Sequence, residues 1–191
     1  PKALDDPTAA KLLRAAHHDD RLLVRVTVEM LLRTGLRVSE YIALPANAVV
    51  LFGEMPWLHV PVGKLRDDRY LPLHPDLVDL IDTYRASYVD PANPLLLPRE
   101  SGRPADRHSV TRILNHAART AGIGHIHPHQ LRHTLATQAI NRGMSIEAVA
   151  AMLGHHSLDM TLRYAKIANR TVADEYFAVT EKVDALYAQA G

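Results

Sequence analysis

Cysteine is absent from the 191 residues. That single absence excludes a disulfide framework, thiolate metal sites and a cysteine nucleophile. No apolar run reaches the ~18 residues that a membrane-spanning helix requires. The N-terminal residues do not read as a secretory signal peptide, so a reducing cytosol is the expected compartment. There is no Walker loop and no His-Glu-x-x-His pair, so neither a P-loop nucleotide site nor a zincin centre is in view. Repeats and low-complexity tracts are also missing. What remains is an ordinary globular composition, 47% hydrophobic and 23% charged, at a length that fits one domain.

Charge of either sign is nearly cancelled overall, with 22 Lys+Arg against 21 Asp+Glu and a formal net charge of +1. Its distribution is uneven. Seven arginines (99, 103, 107, 112, 119, 132 and 142) and six histidines lie between Arg99 and Arg142, against only Glu100 and Asp106. From Thr171 onward the balance is acidic, with Asp174, Glu175, Glu181 and Asp184 against Lys182. A basic middle and an acidic end point to an anionic ligand at the middle. Arginine outnumbers lysine 17 to 5, and its guanidinium forks well onto phosphate.

Helix signals dominate. Asp6-Pro7 predicts a helix running to about His17, with Asp6 as its N-cap. A second helix, Asp19 to Thr34, is apolar almost all round and stops at Gly35, which marks a central core helix. Ser39–Leu44 reads as a short helix. The period then changes: Ala48–Phe52, Trp57–Pro61 and Arg69–Leu73 read as three strands of an antiparallel meander. Further helices are expected over Pro75–Tyr88, Arg107–Ala121, Pro128–Arg142, Ser145–Leu153, Ser157–Ile167 and Thr171–Ala188. The expected fold is therefore mainly α with a small antiparallel β-sheet.

Three short segments concentrate chemistry. In His127-Pro128-His129-Gln130-Leu131-Arg132-His133, a helix begun at Pro128 sets residues 129, 132 and 133 on one face, beside a positive helix N-terminus. That is an anion site or, more plainly, a solvated basic helix end. In Leu153-Gly154-His155, a glycine turn presents a histidine nine residues before Tyr164. In Thr34-Gly35-Leu36-Arg37-Val38-Ser39-Glu40, a glycine stop places Arg37 in a tight turn with Glu40 in reach. Alone, that is a common surface ion pair.

Taken in order, the segments resemble the boxes of the tyrosine recombinases, the phage integrase family. Gly35-Leu36-Arg37-x-Ser39-Glu40 resembles the first arginine box, His129-x-x-Arg132-His133 the second, and Leu153-Gly154-His155 with Tyr164 the third. Between the first two, Gly63-Lys64 and then Arg69-Tyr70-Leu71-Pro72-Leu73 resemble the family's hairpin lysine and the strand after it. The turn departs from the family pattern. Leu65, Arg66 and Asp67-Asp68 stand where Gly and a second lysine are common, and the acidic pair opposes phosphate contact beside Lys64.

The resemblance covers nearly the whole chain and implies a catalytic domain over residues 1–191, with the family's N-terminal core-binding domain absent from this chain. It implies site-specific cutting and rejoining of double-stranded DNA through a 3′-phosphotyrosyl intermediate. The implied catalytic residues are Arg37, Lys64, His129, Arg132, His155 and Tyr164. No metal, cofactor, small-molecule substrate or membrane is implied. The implied partners are DNA and further copies of the chain, as a tetramer on paired sites, with the helix at 171–191 exchanged between protomers. Packing of that helix on its own domain is the plainer alternative.

Two rival readings remain at this stage. Histidines 125, 127, 129, 133, 155 and 156 suggest a metal site, but Arg132 between the i, i+4 pair would repel a cation. Gly143–Tyr164 resembles a helix-turn-helix, which would make the chain a non-catalytic DNA-binding module. A type IB topoisomerase-like relaxation of DNA shares the chemistry of the main reading.

Overall fold

The computed structural model describes residues 2–61 and 68–155. The Lys64 segment and everything after His155, including Tyr164 and the helices expected over Ser157–Ile167 and Thr171–Ala188, lie outside the described residues.

Seven helices and three strands follow one another along these residues: α1 Asp6–His17, α2 Leu22–Thr34, α3 Val38–Ile42, β1 Val49–Phe52, β2 Met55–Val60, β3 Arg69–Pro72, α4 Pro75–Tyr88, α5 Arg107–Thr120, α6 Pro128–Asn141 and α7 Ile146–Leu153. The N-cap of α1 is Asp5 rather than Asp6, because the Asp5 carboxylate accepts from the Thr8 amide at 2.9 Å. Helix α2 begins at Leu22, later than expected, because the Asp19 carboxylate accepts from the Arg21 amide at 2.9 Å and holds that stretch as a turn. Ser145 caps α7 from outside.

Helix α2 is the axis of the molecule, as its all-round apolar sequence predicts. Val24, Val26, Val28, Met30, Leu31 and Leu32 are buried, and α1, α4, α5 and α6 all pack against it. The strands form a meander in the order β1-β2-β3, antiparallel throughout. Its tight turn pairs Phe52 with Met55, so β2 starts two residues before the expected Trp57. Leu58, Val60 and Leu71 bury the inner face, while Phe52, Met55 and Tyr70 stand exposed on the other. Helix α7 rests on α6 and β3, with Val149 and Leu153 buried against Ala136. No helix among the described residues is long and apolar enough to cross a membrane.

Two glycines end α2 and α7, whose last carbonyls both meet Arg132 of α6. Gly35 (φ 64°) and Gly154 (φ 65°) both end helices in the left-handed conformation. A Cβ on Gly35 would lie 2.7 Å from Leu153 Cδ2 and 3.0 Å from Leu135 Cδ2. Gly35→Ala is therefore expected to destabilise the fold by about 2 kcal/mol or more, combining left-handed strain with overpacking. Gly122 has a similar φ of 66° and open space around it. Gly122→Ala isolates the conformational part, about 1 kcal/mol. Urea unfolding of both variants measures the difference.

Candidate active site

Arg132 lies one turn into α6, on the face that meets the ends of α2 and α7. Its side chain is buried, with 5% of the residue exposed. Nη1 donates to the Gly35 carbonyl at 2.7 Å and Nη2 to the Leu153 carbonyl at 2.6 Å. Both oxygens belong to helix C-terminal ends, where carbonyls lack intrahelical partners and carry partial negative charge. The cation thus satisfies two orphan acceptors and is fixed by them. This corrects the helical-wheel expectation of a displayed His129–Arg132–His133 face. His129 is exposed, His133 is half-buried, and Arg132 is driven beneath them.

A second centre forms at Glu40. The amide of Arg37, the N-cap of α3, donates to Glu40 Oε2 at 2.8 Å, and Arg37 Nη1 donates to Oε1 at 2.9 Å. From β3, Arg69 Nη1 and Nη2 donate to the same two oxygens at 2.9 and 2.8 Å. Burial pushes the Glu40 carboxyl upward, but the hydrogen bonds from Arg69 and the Arg37 amide outweigh it and hold the group at about 2. The Arg37–Glu40 pair read as a possible surface contact is in fact part of a three-residue network. Arg69 is the member that sequence reasoning missed. Its signal was present: Arg69 occupies an inward position of a strand beside buried Leu71, and an inward cation demands an anion.

His155 follows Gly154, with its amide donating to the Ala150 carbonyl at 3.0 Å in a helix-terminating turn. Burial holds its imidazole down at about 4, and the nearby cations Arg132, Arg37 and Arg69 add to the effect. His129, exposed as a residue, has its imidazole lowered in the same direction by partial desolvation of the ring, then by Arg132, Arg37 and Arg107. The same two arginines, 37 and 132, act on both histidines. Four of the six sequence candidates therefore share one electrostatic environment. Both imidazoles are neutral at neutral pH, each with one donor and one acceptor nitrogen. Lys64 and Tyr164 lie outside the described residues.

A cavity of about 250 Å³ opens at this place, lined by Arg37, Ser39, Arg107, Thr111 and His129 together with Val38 and Pro128. The N-terminal ends of α3, α5 and α6 point into the region, adding positive potential. A larger groove of about 610 Å³ runs along α1, α2 and α6 and includes none of the candidate residues. Among the described residues, no three His, Asp or Glu side chains cluster as a metal site.

Residues 2–170 match the Phage integrase family. The chain is 32% identical over 171 residues to tyrosine recombinase XerC of Staphylococcus epidermidis, covering 86% of this chain and 57% of that protein. A tyrosine recombinase of Thermosipho africanus is 31% identical over 176 residues, covering 91% of this chain and 60% of the relative. The chain thus spans little more than half the length of these relatives. Among solved structures, XerA recombinase superposes with a TM-score of 0.78 at 27% identity over 93% of this chain and 65% of that one. The XerH recombinase bound to its palindromic difH substrate shares the fold, with a TM-score of 0.79 at 20% identity over 92% of this chain and 52% of that one.

The electrostatics predict an acid-labile fold. His155 sits near 4 in the folded chain against an ordinary 6.5, so the unfolded chain binds the extra proton first. Its contribution to stability is present above about pH 6.5 and declines as pH falls toward 4. Glu40, at about 2 against an ordinary 4.5, adds a second loss over that lower window. Unfolding midpoints across pH 2–8 are expected to show both declines, and His155→Gln is expected to flatten the upper one.

Proposed function

Because the chain belongs to the phage integrase family of tyrosine recombinases, we propose that it is the catalytic part of a site-specific DNA recombinase. It cuts and rejoins double-stranded DNA through a 3′-phosphotyrosyl intermediate. The observation that carries this reading is the pair Arg37 and Arg132, each anchored to the scaffold and each acting on both His129 and His155. Negative charge gathers on the non-bridging oxygens of an attacked phosphodiester, and cations fixed in advance stabilise it without reorganising. A guanidinium carries five N–H groups. Two of them anchor Arg132 to helix ends, and its charge stays beside the imidazoles.

The Tyr164 oxygen attacks phosphorus, the P–O5′ bond breaks, and the 3′-phosphate becomes esterified to the phenol. A phenol with its ordinary pKa near 10 needs help in losing its proton. Neutral His129 has a free lone pair for that proton, directly or through water. Neutral His155 donates a hydrogen bond to a non-bridging oxygen. Lys64 protonates the departing 5′-oxygen. In the second step a 5′-hydroxyl attacks the phosphotyrosyl ester and releases the tyrosine. The ester conserves the bond's free energy, so rejoining needs no nucleotide. The two arginines supply the positive charge that a divalent cation supplies elsewhere. The partners are duplex DNA and further copies of the chain, as a tetramer on paired sites.

Tyr164→Phe is expected to abolish the covalent protein–DNA adduct on a nicked substrate while leaving DNA affinity within about tenfold. Adduct formation by the parent chain is expected to persist in a chelator. A surviving adduct in Tyr164→Phe would remove the nucleophile assignment, and chelator sensitivity would restore the metal reading. Arg37→Ala and Arg132→Ala are each expected to slow adduct formation by at least ~10²-fold. Arg132→Lys is expected to fare little better, because a single ammonium cannot reproduce a planar fork between two helix ends.

A further inference from the structure

We propose that Arg69 is a positioning residue for this site: by gripping both oxygens of Glu40 and the carbonyl of Met152, it holds Arg37 and His155 in one frame. The inference rests on the cleavage reading above and adds to it a residue that lines no part of the cavity. Three contacts carry it. Nη1 and Nη2 take the two oxygens of Glu40 at 2.9 and 2.8 Å, a two-pronged grip that sets the plane of the carboxylate. The same oxygens receive the Arg37 guanidinium at 2.9 Å and the Arg37 amide at 2.8 Å, so the orientation of Arg37 follows from that plane. Nε then donates to the Met152 carbonyl at 3.0 Å, in the last turn of α7.

The fit extends to Gly154. A Cβ there would lie 2.9 Å from Arg69 Nη1 and 3.3 Å from its Cδ and Cζ. The chain therefore turns toward His155 directly over the guanidinium, and a side chain at Gly154 would displace it. The Arg69 side chain is only 10% exposed. Arg69 also opens β3, the strand that follows the Lys64 segment, so one side chain links that strand, α3 and the end of α7. Lysine offers no equivalent, since a point charge on a flexible stem cannot hold three acceptors in fixed directions.

The test separates charge from geometry in the whole chain, using Arg69→Met and Arg69→Lys. The first readout is the NMR titration of the His155 imidazole without DNA. Among the described residues, the charged and titratable groups that act on it are Arg132 and His133 of α6, Arg37 at the start of α3, and Arg69 of β3. The second readout is single-turnover adduct formation on a nicked duplex, with DNA affinity measured alongside. For Arg69→Met, the His155 midpoint is expected to rise above about 4 while staying below the ordinary 6.5, because burial, Arg132 and Arg37 still lower it. Adduct formation is expected to fall ~10²-fold with affinity changed less than about threefold, as for misplaced catalytic groups. Arg69→Lys is expected to restore much of the titration while leaving the rate down at least ~10-fold.

A parent-like rate in Arg69→Lys, or an unmoved His155 midpoint in Arg69→Met, overturns the proposal. If Arg69→Met does not fold, the rate of Arg69→Lys decides by the same criterion. If the parent chain itself forms no adduct, the cleavage reading fails, and the titration alone decides whether Arg69 holds the His155 turn.

Discussion

A guanidinium lodged between the carboxyl ends of two helices is the contact on which the rest of this site depends. Arg132 has to be buried to reach the Gly35 and Leu153 carbonyls, and α2 and α7 have to end where they do to offer them. Both helices are stopped at the right place by glycines in the left-handed conformation. Removing the cation would leave two carbonyls without a donor in a buried place, and extending either helix would remove an acceptor. The residue proposed to hold phosphate is thus also a structural residue. Its charge is positioned by the fold itself and needs no substrate to place it.

Around that contact, the described residues gather three arginines, Arg37, Arg69 and Arg132. Arg37 and Arg69 share the single carboxylate of Glu40. Arg132 is tied to neutral carbonyls that carry only partial charge. Burial first, and then the field of these arginines, keeps His129 and His155 deprotonated, leaving neutral rings that can accept and donate. Among the described residues, the cavity is lined by two arginines and no acid.

Much of this was legible in the sequence, for identifiable reasons. Helix α4 was bounded to the residue by Pro75 and Tyr88, since a proline start leaves little freedom. Helix α2 announced its central place by being apolar all round. The meander was visible from its alternation and turns, and its starting residue was missed where a two-residue turn extended β2. Arg37, His129, Arg132 and His155, which the structure brings into one electrostatic environment, were singled out by motif order. Two things were not legible. A helical wheel describes a residue relative to its own axis, so it could not show that α2 and α7 end over Arg132. Arg69 was read as part of a strand, because its partners lie 29 and 83 residues away.

Those separations bear on when the site takes shape during folding. Arg132 reaches back 97 residues to Gly35 and forward 21 to Leu153, and Arg69 spans 83 to Met152. Contacts of such long range form slowly and late in folding. During synthesis, a ribosome that has delivered Arg37, His129 and Arg132 has still not delivered the carbonyl that completes their arrangement. Until α7 emerges and docks, the nascent protein holds its arginines without the frame that would aim them. The topology therefore completes this arrangement only after α7 has been made.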